Sequence, residues 1–209
     1  MFCKGQAVAS KASFTVLELG CGDGRLLRKL VEKDRAAATV QVGSNESLYV
    51  GIEYDNSRYD IARSLLECYT NVKLLNGSFE VLIHEFPDSS IDKIISVLPD
   101  PEFIDTQYQD QWKKFYSVVH CKLSTGGCLR IVTELIDDLL QPVTIDVYNA
   151  WVEEIIQIFR ALGYSLVGFL EGSPADYESE CLDRFKKDPQ RIRLVTFDFT
   201  KKEQRLSLY

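Results

Sequence analysis

The sequence is short of the residues that build metal centres and disulfide frameworks. It holds two histidines, His84 and His120, and six cysteines, none spaced as Cys-x-x-Cys. Structural zinc draws four ligands from closely spaced Cys and His, so no metal site is expected, and the thiols read as reduced and mostly buried. No apolar run approaches the ~20 residues that span a bilayer, and no membrane association is expected. Met1 to Ser13 lack the basic, apolar and small-residue order of a secretory leader. A cytoplasmic location is expected, or a nuclear one in a eukaryote. Net positive charge is missing as well: 31 acids against 24 Lys and Arg give −7. Phosphate neutralisation dominates nucleic-acid affinity, so this balance argues against unaided nucleic-acid binding while leaving room for a basic partner. There is no repeat and no low-complexity linker.

What is present is ordinary globular composition, 45% hydrophobic and 26% charged, enough for a sizeable core. Residues 1–13 read as an extension and 14–209 as one domain. Strand and helix patterns alternate along it. Strands are expected at Phe14–Leu19, Leu48–Ile52, Val72–Leu75, Ile91–Leu98, Cys128–Thr133, Tyr164–Leu170 and Arg191–Phe199. Helices are expected at Leu26–Lys33, Ser57–Tyr69, Phe79–His84, Tyr108–Lys122 and Ile145–Leu162. Ser57 is the expected N-cap of the second helix, with Ile61, Leu65 and Cys68 on its buried face. Ser124–Gly127 reads as a turn, and Glu171–Gln190 as a polar connection without a clear helix. The fold class is α/β: a seven-stranded, mostly parallel, Rossmann-like sheet with helices on both faces and an antiparallel terminal strand.

The first strand runs into Glu18-Leu19-Gly20-Cys21-Gly22-Asp23-Gly24 and then a helix. Strand, glycine loop and helix form a nucleotide-binding architecture. The spacing differs from the Gly-x-Gly-x-x-Gly that faces pyrophosphate, which suits a ligand without phosphate. Glu53, at the end of the second strand, is placed to accept hydrogen bonds from ribose hydroxyls, and Tyr54 to pack on an adenine. Together these features resemble the class I S-adenosylmethionine-dependent methyltransferases. The resemblance implies S-adenosylmethionine as cofactor. Glu18, Gly20, Cys21, Gly22 and Gly24 would surround its methionine part, Glu53 would hold the ribose, and Ser78, Phe79 and Leu98 would border the rest.

Val97-Leu98-Pro99-Asp100-Pro101 ends the fourth strand where an open α/β sheet binds its ligands. Asp100 there either faces the cofactor's methyl or simply caps the turn. The order Pro99-Asp100-Pro101, Phe103, Thr106, Trp112, Gly126-Gly127, Thr133-Glu134, Tyr148-x-x-Trp151 and Tyr177-Glu178 resembles the tRNA (guanine-N7)-methyltransferase family over roughly residues 14 to 200. The resemblance implies Asp100 as catalytic, with Asp100, Glu134, Tyr177 and Glu178 contacting the substrate. It implies tRNA as acceptor and admits an RNA-binding partner subunit. The sequence departs from the family at Ile104, where a lysine is usual, at Ala175 in place of threonine, and at Ser78 in place of an acid. Residues 100–122 carry Asp100, Glu102, Asp105 and Asp110 against three lysines. Two other readings therefore stand: the same chemistry on a small molecule or protein, and a non-catalytic binding module. Arg184, Lys186, Lys187, Arg191 and Arg193 form the one basic cluster of note, read as a phosphate contact or a solvated loop. Trp112, Tyr116 and Trp151 read as packing residues.

Overall fold

In the computed structural model, residues 14–38, 47–137, 139 and 141–201 are described. The extension read at 1–13 lies outside them, as do residues 202–209. Strand β1 (Thr15–Leu19) is followed by α1 (Arg25–Ala38), β2 (Leu48–Glu53), α2 (Asn56–Leu66), β3 (Val72–Asn76), the short α3 (Phe79–Leu82) and β4 (Ile91–Val97). Then come α4 (Gln109–Lys122), β5 (Leu123–Ile136), α5 (Ile145–Ala161), β6 (Tyr164–Glu171), α6 (Glu180–Phe185) and β7 (Ile192–Lys201).

All seven strands join one sheet in the order β3-β2-β1-β4-β5-β7-β6. β1 to β5 pair in parallel. β7 is antiparallel to both β5 and β6, so the reversed strand is last in the chain but second from the edge. The chain winds outward from β1 to β3, then returns to lay β4 on the other side of β1. That reversal opens a crevice at the carboxyl ends of β1 and β4, where such sheets bind ligands. β1 and β2 are buried on both faces, which explains their nearly unbroken apolar runs.

Helices cover both faces of the sheet. On one, α4 and α5 pack Trp112, Tyr116 and Phe159 against Phe197 and Phe199, with the Phe159 and Phe199 rings stacked at 4.4 Å. On the other, α1 contributes Leu26, Leu27 and Val31, α2 Leu66 and α6 Leu182. Trp112 and Tyr116 are thus core residues, and Trp151 packs partly buried against the first cluster. No helix among the described residues is long and apolar enough to cross a membrane.

Local chemistry moves several boundaries. The N-cap of α2 is Asp55, not Ser57: its side chain accepts from the Arg58 amide at 2.9 Å. The face turned to the sheet is that of Ala62 and Leu66, while Ile61 is exposed and Cys68 lies exposed beyond the end of the helix. The turn expected at Ser124–Gly127 is an irregularity inside a continuous β5, where Ile91 pairs with Leu123 but Lys93 with Cys128. Gly126 takes a left-handed φ of 76° there. The polar connection contains α6, capped by Ser179, whose hydroxyl accepts from the Leu182 amide at 3.1 Å. Its six residues carry too few apolar positions to register as a helical period. The five described cysteines are free.

Candidate active site

A cavity of about 280 Å³ lies over the carboxyl ends of β1 and β4. The glycine loop forms its floor. Gly20, Gly22 and Gly24 have φ of 69°, 56° and 79°, a left-handed region that side chains avoid. This alternation explains the Gly-x-Gly-x-Gly spacing: the backbone reverses hand at every second residue. The loop is tied to β2. The Cys21 amide donates to the Ile52 carbonyl at 2.9 Å, and the Gly22 amide donates to Glu53 Oε2 at 2.8 Å. The Asp55 amide donates to Glu53 Oε1 at 2.9 Å. Glu53 is therefore held rigidly, with one lone pair of each oxygen still free for a ligand.

Glu18 is 3% exposed, and its Oε2 has no hydrogen-bond partner among the described residues. Burial, reinforced by the charges of Asp23 and Glu53, pushes its carboxyl well above the usual range. Such an oxygen is costly unless something donates to it, and it sits on the cavity wall. The Cys21 thiol is pushed up by burial as well, so it is a packing group and not a nucleophile. An open backbone cradle, an orphaned buried acceptor and a fixed acid at the end of β2 suit the ammonium and hydroxyl donors of an amino-acid nucleoside such as S-adenosylmethionine.

Leu98 leaves β4 with φ 51°, unusual for a residue with a side chain. Its amide donates to the Val132 carbonyl at 2.7 Å. The twist delivers Pro99 and Asp100 to the cavity rim. Asp100 is exposed. Its backbone carbonyl accepts from the Phe103 amide at 2.8 Å, while its side chain makes no capping bond. Capping is thus excluded as the role of the Asp100 carboxylate. Glu134, on β5, has a buried Oε2 without a hydrogen-bond partner among the described residues. Its carboxyl rises to about 7, first through burial and further through the charge of Asp100.

The wall otherwise gathers Gly20, Cys21, Gly22, Tyr54, Phe79, Leu98, Tyr177 and Glu178. Gly24, Ser78 and Glu134 do not reach it. Gly24 packs against α2, where an added Cβ would come within 2.8 Å of Leu66. Ser78 is the N-cap of α3. Phe79 is packed edge-on against Phe103 at 4.7 Å, and Tyr54 is largely exposed. Tyr177 is 1% exposed, and its hydroxyl accepts from Arg130 Nη1 at 3.4 Å. Arg130 in turn makes a two-pronged pair with Asp198 at 2.6 and 2.7 Å. The Glu178 carboxylate is engaged by Lys29 of α1, which holds it below the usual range. It borders the cavity as half of an ion pair.

Several parts of the wall escape sequence reasoning, Leu26 of α1 and Arg58 and Ile61 of α2 among them. Ser96 of β4 is 4% exposed and lines the cavity; its place next to the end of an inner strand at the switch point was the available signal. Residues 179–182, the start of α6, form the far wall and come from the stretch read as a polar connection.

Three comparisons with known proteins bear on this geometry. A family model described as a methyltransferase domain matches residues 10–164. A tRNA (guanine-N(7)-)-methyltransferase of Chloroherpeton thalassium is 27% identical over 121 residues, covering 56% of this chain and 50% of that protein. The chain thus spans about half the length of the curated relative it matches. An S-adenosylmethionine dependent methyltransferase from Mesorhizobium loti shares the fold with a TM-score of 0.60 and 16% identity, over 92% of this chain and 93% of that one. A Haemonchus contortus phosphoethanolamine N-methyltransferase, solved with S-adenosylhomocysteine, does so with 0.59 and 14%, over 94% and 50%. With a family match running through the glycine loop, Glu53 and Asp100, the chain belongs to the methyltransferase domain family, in the class that depends on S-adenosylmethionine.

Proposed function

We propose that the chain methylates guanine N7 in tRNA, acting alone or with an RNA-binding partner subunit. The observation that carries this reading is Asp100 beyond β4, with Glu134 near the end of the neighbouring strand β5. Asp100 stands at the cavity rim with its side chain free of capping. Glu134 lies close enough for the Asp100 charge to raise its carboxyl further. The Chloroherpeton relative supports the same acceptor.

The cofactor supplies an electrophilic methyl group. Glu18 and the backbone of Gly20 to Gly22 would hold its methionine end, Glu53 its ribose, and Tyr54, Phe79 and Leu98 its base. Guanine N7 is a free lone pair, so no proton has to leave it. The protein's task is to align the base and to exclude water. The ring gains positive charge as it is methylated. Asp100 would stabilise that charge and accept hydrogen bonds from the base's N1–H and amino group, and Glu134, beside the turn that carries Asp100, would add to the field when ionised. Tyr177, braced by Arg130, would shape the acceptor side, and Glu178 would fix that segment through Lys29.

Charge favours a second reading, in which the acceptor is a small molecule or a protein. The net charge is −7, and the stretch after Asp100 is not basic. One assay separates the two: incubation of the protein with methyl-labelled cofactor and either unmodified tRNA or a tRNA-depleted extract. Label recovered as 7-methylguanosine supports the first reading. Label confined to proteins or small molecules, or absent from tRNA, overturns it. Asp100→Ala is expected to slow transfer ~10²–10³-fold, the loss typical of removing one preorganised electrostatic group, with cofactor affinity unchanged. Turnover equal to wild type would remove Asp100 from the reaction.

A further inference from the structure

A second cavity, of about 420 Å³, opens between the end of β6, the end of α6 and the start of β7, with Tyr148 of α5 on its wall. It lies on the same edge of the sheet as the first, because β6 ends and β7 begins there. The intervening partition is the Tyr177–Phe185 segment: Tyr177 and Leu182 line the first cavity, Phe185 and Lys186 the second.

Its polar groups are mostly donors, and several lack partners. Tyr148 is 1% exposed, and its hydroxyl has no hydrogen-bond partner among the described residues. The Ser173 hydroxyl is buried and unpartnered in the same way. The Arg193 guanidinium lies over the Tyr148 ring, 4.8 Å from its centroid. It makes no ion pair with any described residue, whereas Arg184 and Arg191 of the same basic cluster pair with Glu180 and Asp188. Lys186 Nζ donates one hydrogen bond to the Tyr177 carbonyl at 3.1 Å, which leaves it two donors. Glu171 sets one carboxylate against these two cations, leaving the cavity one net positive charge.

We propose that this cavity is a phosphate-binding subsite. A planar guanidinium held by stacking, an ammonium and two hydroxyl donors match the acceptor-only oxygens of phosphate. One net positive charge suits a group with a single negative charge, as a phosphodiester has. The Tyr177 carbonyl links Lys186 to the wall of the first cavity, so a phosphate here belongs beside the acceptor. That it is part of the acceptor rests on the reading of the acceptor as RNA. That the cavity takes phosphate does not.

The test compares wild type, Arg193→Gln and Tyr148→Phe. Calorimetry measures inorganic phosphate and unmodified tRNA separately, the tRNA titrations being repeated at several salt concentrations. Cofactor affinity and melting temperature serve as fold controls. Tyr148→Phe keeps the ring under Arg193 and removes only the hydroxyl. The expected result is at least a tenfold loss of phosphate affinity in Arg193→Gln and a several-fold loss in Tyr148→Phe, with cofactor affinity unchanged. A parallel loss of tRNA affinity, with a salt slope shallower by about one phosphate contact, identifies a phosphodiester as the ligand. Loss of phosphate binding alone identifies a free phosphate and leaves the subsite standing. Failure of tRNA methylation with phosphate binding intact overturns only the RNA reading. Wild-type protein that binds neither probe, or variants that bind both like wild type, overturn the subsite.

Discussion

Among the acids of the site, Glu134 makes the sharpest prediction. Its carboxyl is raised from 4.5 to about 7, chiefly by burial. The folded protein therefore keeps a proton that the unfolded chain gives up at lower pH. The sign follows from linkage: this contribution is fully present below about pH 4.5, declines as pH rises towards 7, and is flat above. At ~1.4 kcal/mol per pKa unit it amounts to roughly 3–4 kcal/mol. Denaturant unfolding of Glu134→Gln is expected to show a shallower fall in stability between pH 5 and 7.5 than wild type; identical profiles would contradict it. Glu134 as a candidate was legible in the sequence, through the Thr133-Glu134 pair, but its protonation was not. Protonation depends on what β7 and the Pro99-Asp100-Pro101 turn lay around it. The same holds for Glu178, an acid whose sequence context does not reveal that Lys29, far away in the chain, neutralises it.

Legibility at the scale of elements followed length and burial. The inner strands were readable because burial on both faces forces apolar runs, and the glycine loop because its backbone reverses hand at alternate residues. α2 was found but its cap misplaced, since Asp55 and Ser57 are both competent caps and only the backbone chooses between them. α6 was missed because six residues cannot display a period, although they wall the site. Gly51 shows how tightly strand and loop are joined. A Cβ there would meet Leu27 Cδ1 at 2.6 Å, Cys21 Sγ at 2.8 Å and Leu74 Cδ2 at 2.9 Å. Gly51→Ala is expected to destabilise the protein by about 1–3 kcal/mol, read by denaturant midpoint, and to weaken cofactor binding by displacing Cys21. A neutral outcome in both would mean that the loop is not supported from beneath.

For the whole molecule, the sheet order places one crevice at the reversal between β1 and β4, and the chain concentrates its orphaned and fixed acids there. The overall α/β class and the parallel core were readable from alternation alone. The position of β7 between β5 and β6 was not, because pairing partners are chosen by contacts such as Arg130–Asp198 that join distant segments. The central claim is that the cavity above the glycine loop is the cofactor site, with Glu53 as its fixed acceptor. The most direct measurement is calorimetric titration of S-adenosylmethionine into wild type and Glu53→Ala, with melting temperatures taken alongside. Loss of a charge-assisted hydrogen bond of roughly 1.5–3 kcal/mol predicts about a 10- to 100-fold weaker dissociation constant in a variant that still melts cooperatively. An unchanged dissociation constant would contradict the assignment of the cavity.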